Sequence, residues 1–279
     1  MPVPASRPAL APPLSLAITG SKGGVGKSNL AVNLAVALSR CGRSVLLVDG
    51  DLGLANVDVL LGLVPERTIE HLLSGEARLQ DLLLDGPAGI RILPAASGVP
   101  GLARLAPPAR ARLVAALAEA ATLADDVLVD TGAGLGDATL SLQLAASRVL
   151  VVTTAEPTSL VDAYATLKVL WTADPGKQVD LVVNGVESEE EADRAYEQIS
   201  KAAGHFLGKQ PGWLGPVFRD PRVGECVRRQ RALLELFPAS RAARCYERIA
   251  LAIAAAPAPS TGDGYFERLL ASAGTGPLQ

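Results

Sequence analysis

Apolar and polar positions alternate between two periods along this chain. Short continuous apolar runs, Leu14 to Ile18, Ser44 to Asp49, Ile90 to Leu93, Asp126 to Asp130, Arg148 to Thr154, Val179 to Val183 and Trp213 to Phe218, read as buried strands. Between them lie stretches of helical period. Leu30, Leu34, Ala37 and Leu38 mark a helix starting near Ser28. Thr68 to Leu73, Ala109 to Leu123, Thr158 to Trp171 behind Pro157, Ser188 to Ala203, Arg222 to Gln230 and Ser240 to Ala256 mark others. Strands alternating with helices predict an α/β fold: one domain with a mostly parallel sheet covered by helices on both faces. Its expected body is 14–256, between a Pro/Ala-rich tail (1–13) and a linker with a short amphipathic tail (257–279).

The turn after the first run changes the picture from fold to chemistry. Gly20-Ser21-Lys22-Gly23-Gly24-Val25-Gly26-Lys27-Ser28 stands between a strand and a helix, the setting of a phosphate-binding loop. Glycines let backbone N–H groups turn inward around an anion, and the following helix points its positive end at the same place. Gly23, Gly24, Val25, Gly26, Lys27, Ser28 and Asn29 are therefore the expected nucleotide contacts. Lys27 is placed to reach the β- and γ-phosphates, and the Ser28 hydroxyl to hold Mg²⁺.

Two further strands end in carboxylates. At the end of a parallel strand such a group faces the crevice where α/β sheets bind ligands. Asp51, just past Asp49, is a candidate for orienting a water or holding the metal's water shell. Asp130 has the position of a Walker B aspartate, bound to Mg²⁺ directly or through water, with mobile glycines in Thr131-Gly132-Ala133-Gly134 behind it. Capping and turn-forming are the structural alternatives for Asp49 and Asp51.

The early lysine in Lys22-Gly-Gly-x-Gly-Lys-Ser resembles the deviant Walker A box of the MinD/ParA ATPases. From Leu14 to about Ala250 the chain is similar to the FlhG (FleN) branch of that family, whose members regulate flagellar number and placement. The resemblance is carried by Asp49 to Gly62, by Asp130 to Gly134 with Val151 to Ser159 and Asp162 to Tyr164, and by Asp220 to Gln230. It implies ATP and Mg²⁺ as ligands and slow, partner-stimulated hydrolysis. It implies an ATP-dependent homodimer in which Lys22 contacts the partner subunit's phosphates, Asp51 as the water-positioning group, and Asn184 reading the adenine edge. Gly185 follows where the family usually has arginine. The family's partners include the GTPase FlhF, stimulated through an N-terminal Asp-Gln-Ala motif that residues 1–13 do not contain, and flagellar switch or regulator proteins. Its members end in a membrane-targeting helix, for which Gly264 to Ala271 is the candidate, with Tyr265, Phe266, Leu269 and Leu270 on one face.

Composition narrows the alternatives. A net charge of −3 over 279 residues argues against a dedicated nucleic-acid binder, although Arg228, Arg229 and Arg231 form a local basic cluster that a ParA-like, DNA-positioning reading would use. Three well-separated cysteines fit a reducing compartment, and the lack of a CxxC pair counts against cluster-binding relatives of the fold. No apolar run is long enough to span a bilayer, and residues 1–13 lack the pattern of a signal peptide. The expectation is a cytoplasmic ATPase with, at most, a peripheral contact to an anionic membrane.

Overall fold

The computed structural model describes residues 14–20, 22–51, 56–94, 108–109, 112, 115–116, 119–120, 122–256, 265 and 268–269. The expected apolar runs form the strands β1 (Leu14–Thr19), β2 (Val45–Gly50), β4 (Arg91–Leu93), β5 (Asp126–Thr131), β6 (Arg148–Thr153), β7 (Gln178–Val186) and β8 (Gly212–Phe218). With the short β3 (Leu84–Asp85) they make one eight-stranded sheet in the order β3-β4-β2-β5-β1-β6-β7-β8. Every pairing is parallel except β3 with β4 at one edge. Helices cover parallel strands on both faces, so the central strands are apolar on both sides rather than alternating. Leu16, Ala17 and Ile18 of β1 and Leu46 and Leu47 of β2 are all fully buried.

The helices are α1 (Lys27–Arg40), α2 (Val57–Leu61), α3 (Ile69–Ser74), α4 (Leu79–Leu82), α5 (Asp137–Ala145), α6 (Pro157–Ala173), α7 (Glu189–Leu207), α8 (Pro221–Arg229), α9 (Leu233–Leu236) and α10 (Arg241–Ala254). Helix α1 is the central prop. Ten of its fourteen residues are buried, and it packs against α10. Its buried Asn33 bonds back to the Asn29 carbonyl and accepts from the Leu234 amide, tying α9 to the helix that follows the glycine-rich turn.

Four helices and one strand were not legible as elements. In α5 the leucines at 140, 142 and 144 recur every second residue, a strand-like period. Helices α2, α4 and α9 are too short to show a stripe. Of the expected helix over 109–123, residues 109, 112, 115–116 and 119–120 are helical, 122–123 already form a turn, and the others lie outside the described residues. Most of the expected amphipathic tail also lies outside them. Its described members, Tyr265 and Leu269, are buried within the hydrophobic core. The Arg268 guanidinium between them donates to the Ala145 carbonyl at 2.6 Å and the Ser15 hydroxyl at 3.1 Å. Among the described residues no helix is long and apolar enough to cross a membrane.

Candidate nucleotide site

The C-terminal ends of β1, β2 and β5 lie side by side, because Ile18 is in register with Asp130 and Asp49 with Asp130. This brings the glycine-rich turn and both strand-end carboxylates to one rim of the sheet. Gly20 begins the turn where no side chain fits: a Cβ there would meet the Val152 carbonyl at 2.7 Å. Gly24 and Gly26 have φ of 81° and 91°, the left-handed region that glycine adopts without strain. Gly26 is also the N-cap of α1, so the turn runs straight into the helix's positive end.

Lys27, first in α1, is buried, and burial lowers the pKa of its ammonium while Asp130 and Asp51 oppose that shift. Asp130 is 1% exposed. Burial pushes its pKa up to about 7, the neighbouring Asp49 and Asp51 add to the rise, and the Ser28 hydroxyl and Lys27 hold it back. Its Oδ1 is buried and, among the described residues, has no hydrogen-bond partner. A carboxylate oxygen out of water and unpartnered is costly unless something external satisfies it. A cation is the chemical answer, and the Ser28 hydroxyl and Asp51 beside it are the oxygen donors Mg²⁺ prefers. The residues present therefore fit the nucleotide and metal that the sequence implies.

Asp49 has a different task, which resolves in favour of the structural alternative. Its carboxylate accepts the amides of Asp51, Asn56 and Val57 at 3.0–3.1 Å. It thereby holds both ends of the segment between β2 and α2, with its pKa raised by burial and opposed by those three N–H groups. Asp51 follows at the mouth of the site, and the space where a Gly132 Cβ would sit lies 3.3 Å from its Oδ1.

Strand β7 runs two residues past Asn184, the expected strand end, to Val186, and the Asn184 Nδ2 donates to the Val25 carbonyl at 2.8 Å. A Cβ on Gly26 would lie 2.2 Å from that nitrogen. The asparagine thus clamps the phosphate-binding turn, a contact the sequence gave no sign of. Gly185 beside it has φ of 75°, a conformation that glycine adopts without strain. Lys22 stands apart, exposed, its ammonium 3.1 Å from a Glu156 carboxylate oxygen. Such a surface pair is worth little and exchanges readily. Asn29 lies in the first turn of α1, partly buried. Gln143 was missed: fully buried on α5, it donates to the Thr19 hydroxyl at 2.6 Å and so links the turn's own strand to the helix behind Asp130. Of the basic cluster, Arg229 and Arg231 are paired with Glu225 and Glu235 at 2.6 and 2.9 Å, which neutralises most of it.

Comparison with known proteins agrees with this geometry. Residues 16–233 match the family model described as the CobQ/CobB/MinD/ParA nucleotide binding domain. The chain is 41% identical over 252 residues to the antiactivator FleN of Pseudomonas aeruginosa, covering 90% of each chain. It is 32% identical to the flagellum site-determining protein YlxH of Helicobacter pylori, covering 91% of this chain and 89% of the relative. Among solved structures, the septum site-determining protein MinD of Pyrococcus horikoshii, complexed with Mg-ADP, superposes with a TM-score of 0.69 at 25% identity, covering 86% of this chain and 95% of that one. The chain belongs to the MinD/ParA family of P-loop ATPases, in the group that contains FleN and YlxH.

Proposed function

We propose that this ATPase is a nucleotide-driven switch that dimerises with ATP and regulates the number and placement of flagella. The observation that carries the chemistry is the unpartnered, buried Oδ1 of Asp130 beside Lys27 and Ser28. The biological role is supported by the similarity to FleN and YlxH over nine-tenths of the chain.

Bound Mg²⁺ would spread the charge of the β- and γ-phosphates. The amides of Gly23 to Lys27 and the Lys27 ammonium bind the phosphates, Ser28 and Asp130 hold the metal, and Asn184 faces the base. Asp51 orients the water that attacks the γ-phosphorus, giving ADP and phosphate. Lys22 exchanges Glu156 for the phosphates of the facing subunit, so the dimer exists only while both triphosphates do. Asp49, gripping residues 51, 56 and 57 at once, passes loss of the γ-phosphate to α2. Turnover is slow and set by a partner, for which the flagellar GTPase FlhF and flagellar switch or regulator proteins are the candidates. The working location is the cytoplasm, with a peripheral contact to anionic lipid by the C-terminal tail. That contact requires Tyr265 and Leu269 to leave the core in which they are buried.

Size-exclusion chromatography with ATP and Mg²⁺ tests the switch. Lys22→Ala should abolish the ATP-dependent dimer while retaining nucleotide, and Asp51→Ala should trap it. An unchanged dimer fraction in Lys22→Ala would reject the contact across subunits.

A further inference from the structure

Away from the nucleotide, the outer edge of β8 carries a cavity of about 570 Å³ lined by Phe218, Arg241, Arg244, Cys245 and Arg248. The three arginines recur at i, i+3 and i+7 on α10 and so share one helix face, spread over roughly 10 Å. All three are exposed. The Arg241 guanidinium lies 3.5 Å from the centre of the Phe218 ring and donates to the Glu187 carbonyl. Arg244 donates to the Ala239 carbonyl. Among the described residues neither is in an ion pair, and Arg248 has only Glu189, at 3.6 Å.

This arrangement breaks a local rule. A helix begins with a positive end, which favours carboxylates in its first turn. Helix α7 obeys, opening with Glu189, Glu190 and Glu191. Helix α10 has no acidic residue in its first turn and places Arg241 and Arg244 there. Arg222 adds a third guanidinium close by, in the first turn of α8, and Asp220 caps both helices through the amides of Arg222 and Ala242. Charge set against a helix dipole costs stability, and departures from local consistency concentrate at functional sites.

We infer that this cavity is a docking site for an acidic segment of a protein partner, one presenting two carboxylates some 6–10 Å apart, as at i and i+4 of a helix. Arginine stacked on an aromatic ring beside a hollow is a residue pairing enriched at the anchors of protein interfaces. Nucleic acid is disfavoured by the same surface. Glu189, 3.6 Å from Arg248, would repel a continuous polyanion, and the chain as a whole carries −3. A short segment can place its carboxylates clear of that group.

The test uses the full chain and a fluorescent deca-glutamate peptide, followed by anisotropy at about 50 and about 200 mM salt. The peptide should bind, more weakly at the higher salt. The double change Arg244→Gln with Arg248→Gln should weaken it about tenfold or more, while Arg228→Gln should leave it unchanged. Both altered arginines are exposed, and equal thermal melting of the variant and the parent verifies that the fold is kept. Absence of peptide binding, equal binding by the double variant, or tighter binding through the same arginines of a DNA duplex of about 20 base pairs would overturn the inference. Neither ATP nor dimerisation enters this measurement, so it fails or succeeds independently of the proposed switch.

Discussion

Each end of the sheet buries carboxylates, and the two ends treat them differently. At the N-terminal ends of the strands, Asp126 faces the Arg43 guanidinium and Asp180 faces Arg148, each pair closed within the protein. At the C-terminal ends, Asp130 lies in the same strand as Asp126, is equally buried, and leaves Oδ1 without a partner. Same residue type, same strand, same burial: the difference is whether an internal cation closes on the carboxylate in a contact ion pair. Where an arginine does, the aspartate is architecture. Asp130 feels Lys27 only as a nearby charge, and its free oxygen leaves the site prepared for a cation from outside.

That contrast can be broken from the largest effect downward. Removing the internal cation with Arg148→Ala strands a buried charge and should cost about 3–5 kcal/mol in urea unfolding. Asp49→Ala removes the acceptor for three amides and should cost about 2 kcal/mol, with faster proteolysis after β2. The third test is pH. Asp130 has a pKa of about 7 in the folded chain against an ordinary 3.8, so the native state binds more protons between those values. Its contribution is full at low pH and is lost as pH rises through 7. The ligand-free protein should therefore lose about 1 kcal/mol between pH 6 and 8 from this group, and Asp130→Asn should flatten that slope. Asp126→Asn should instead destabilise the chain, because it leaves Arg43 unpaired. Last, Lys22→Ala should change stability by less than about 0.5 kcal/mol, since its bond to Glu156 is exposed on both sides.

The sequence made one half of this comparison readable and hid the other. Apolar runs of strand length announced seven of the eight strands, and the spacing of glycines and Lys27 announced the phosphate-binding turn, because both signals are local. Asp49 and Asp130 were visible as strand-end carboxylates, but which one is held and which is free depends on backbone amides two, seven and eight residues away and on neighbours in other strands. The Asn184 clamp on Val25 spans 159 positions and Gln143 on Thr19 spans 124, distances at which no periodicity speaks. Arg241, Arg244 and Arg248 lie in a stretch that was legible only as a helix, Ser240 to Ala256. The basic run that did stand out, around Arg229 and Arg231, is largely cancelled by its own glutamates.

The central claim is that the unpartnered oxygen of Asp130 awaits a metal carried in with nucleotide. Calorimetric titration of ATP with and without Mg²⁺, in two buffers of different ionisation enthalpy at pH 7, tests it directly. Mg²⁺ should tighten binding at least about tenfold and release about half a proton, and both effects should vanish in Asp130→Asn. An equal Mg²⁺ dependence in the variant, or none in the parent chain, would contradict the account.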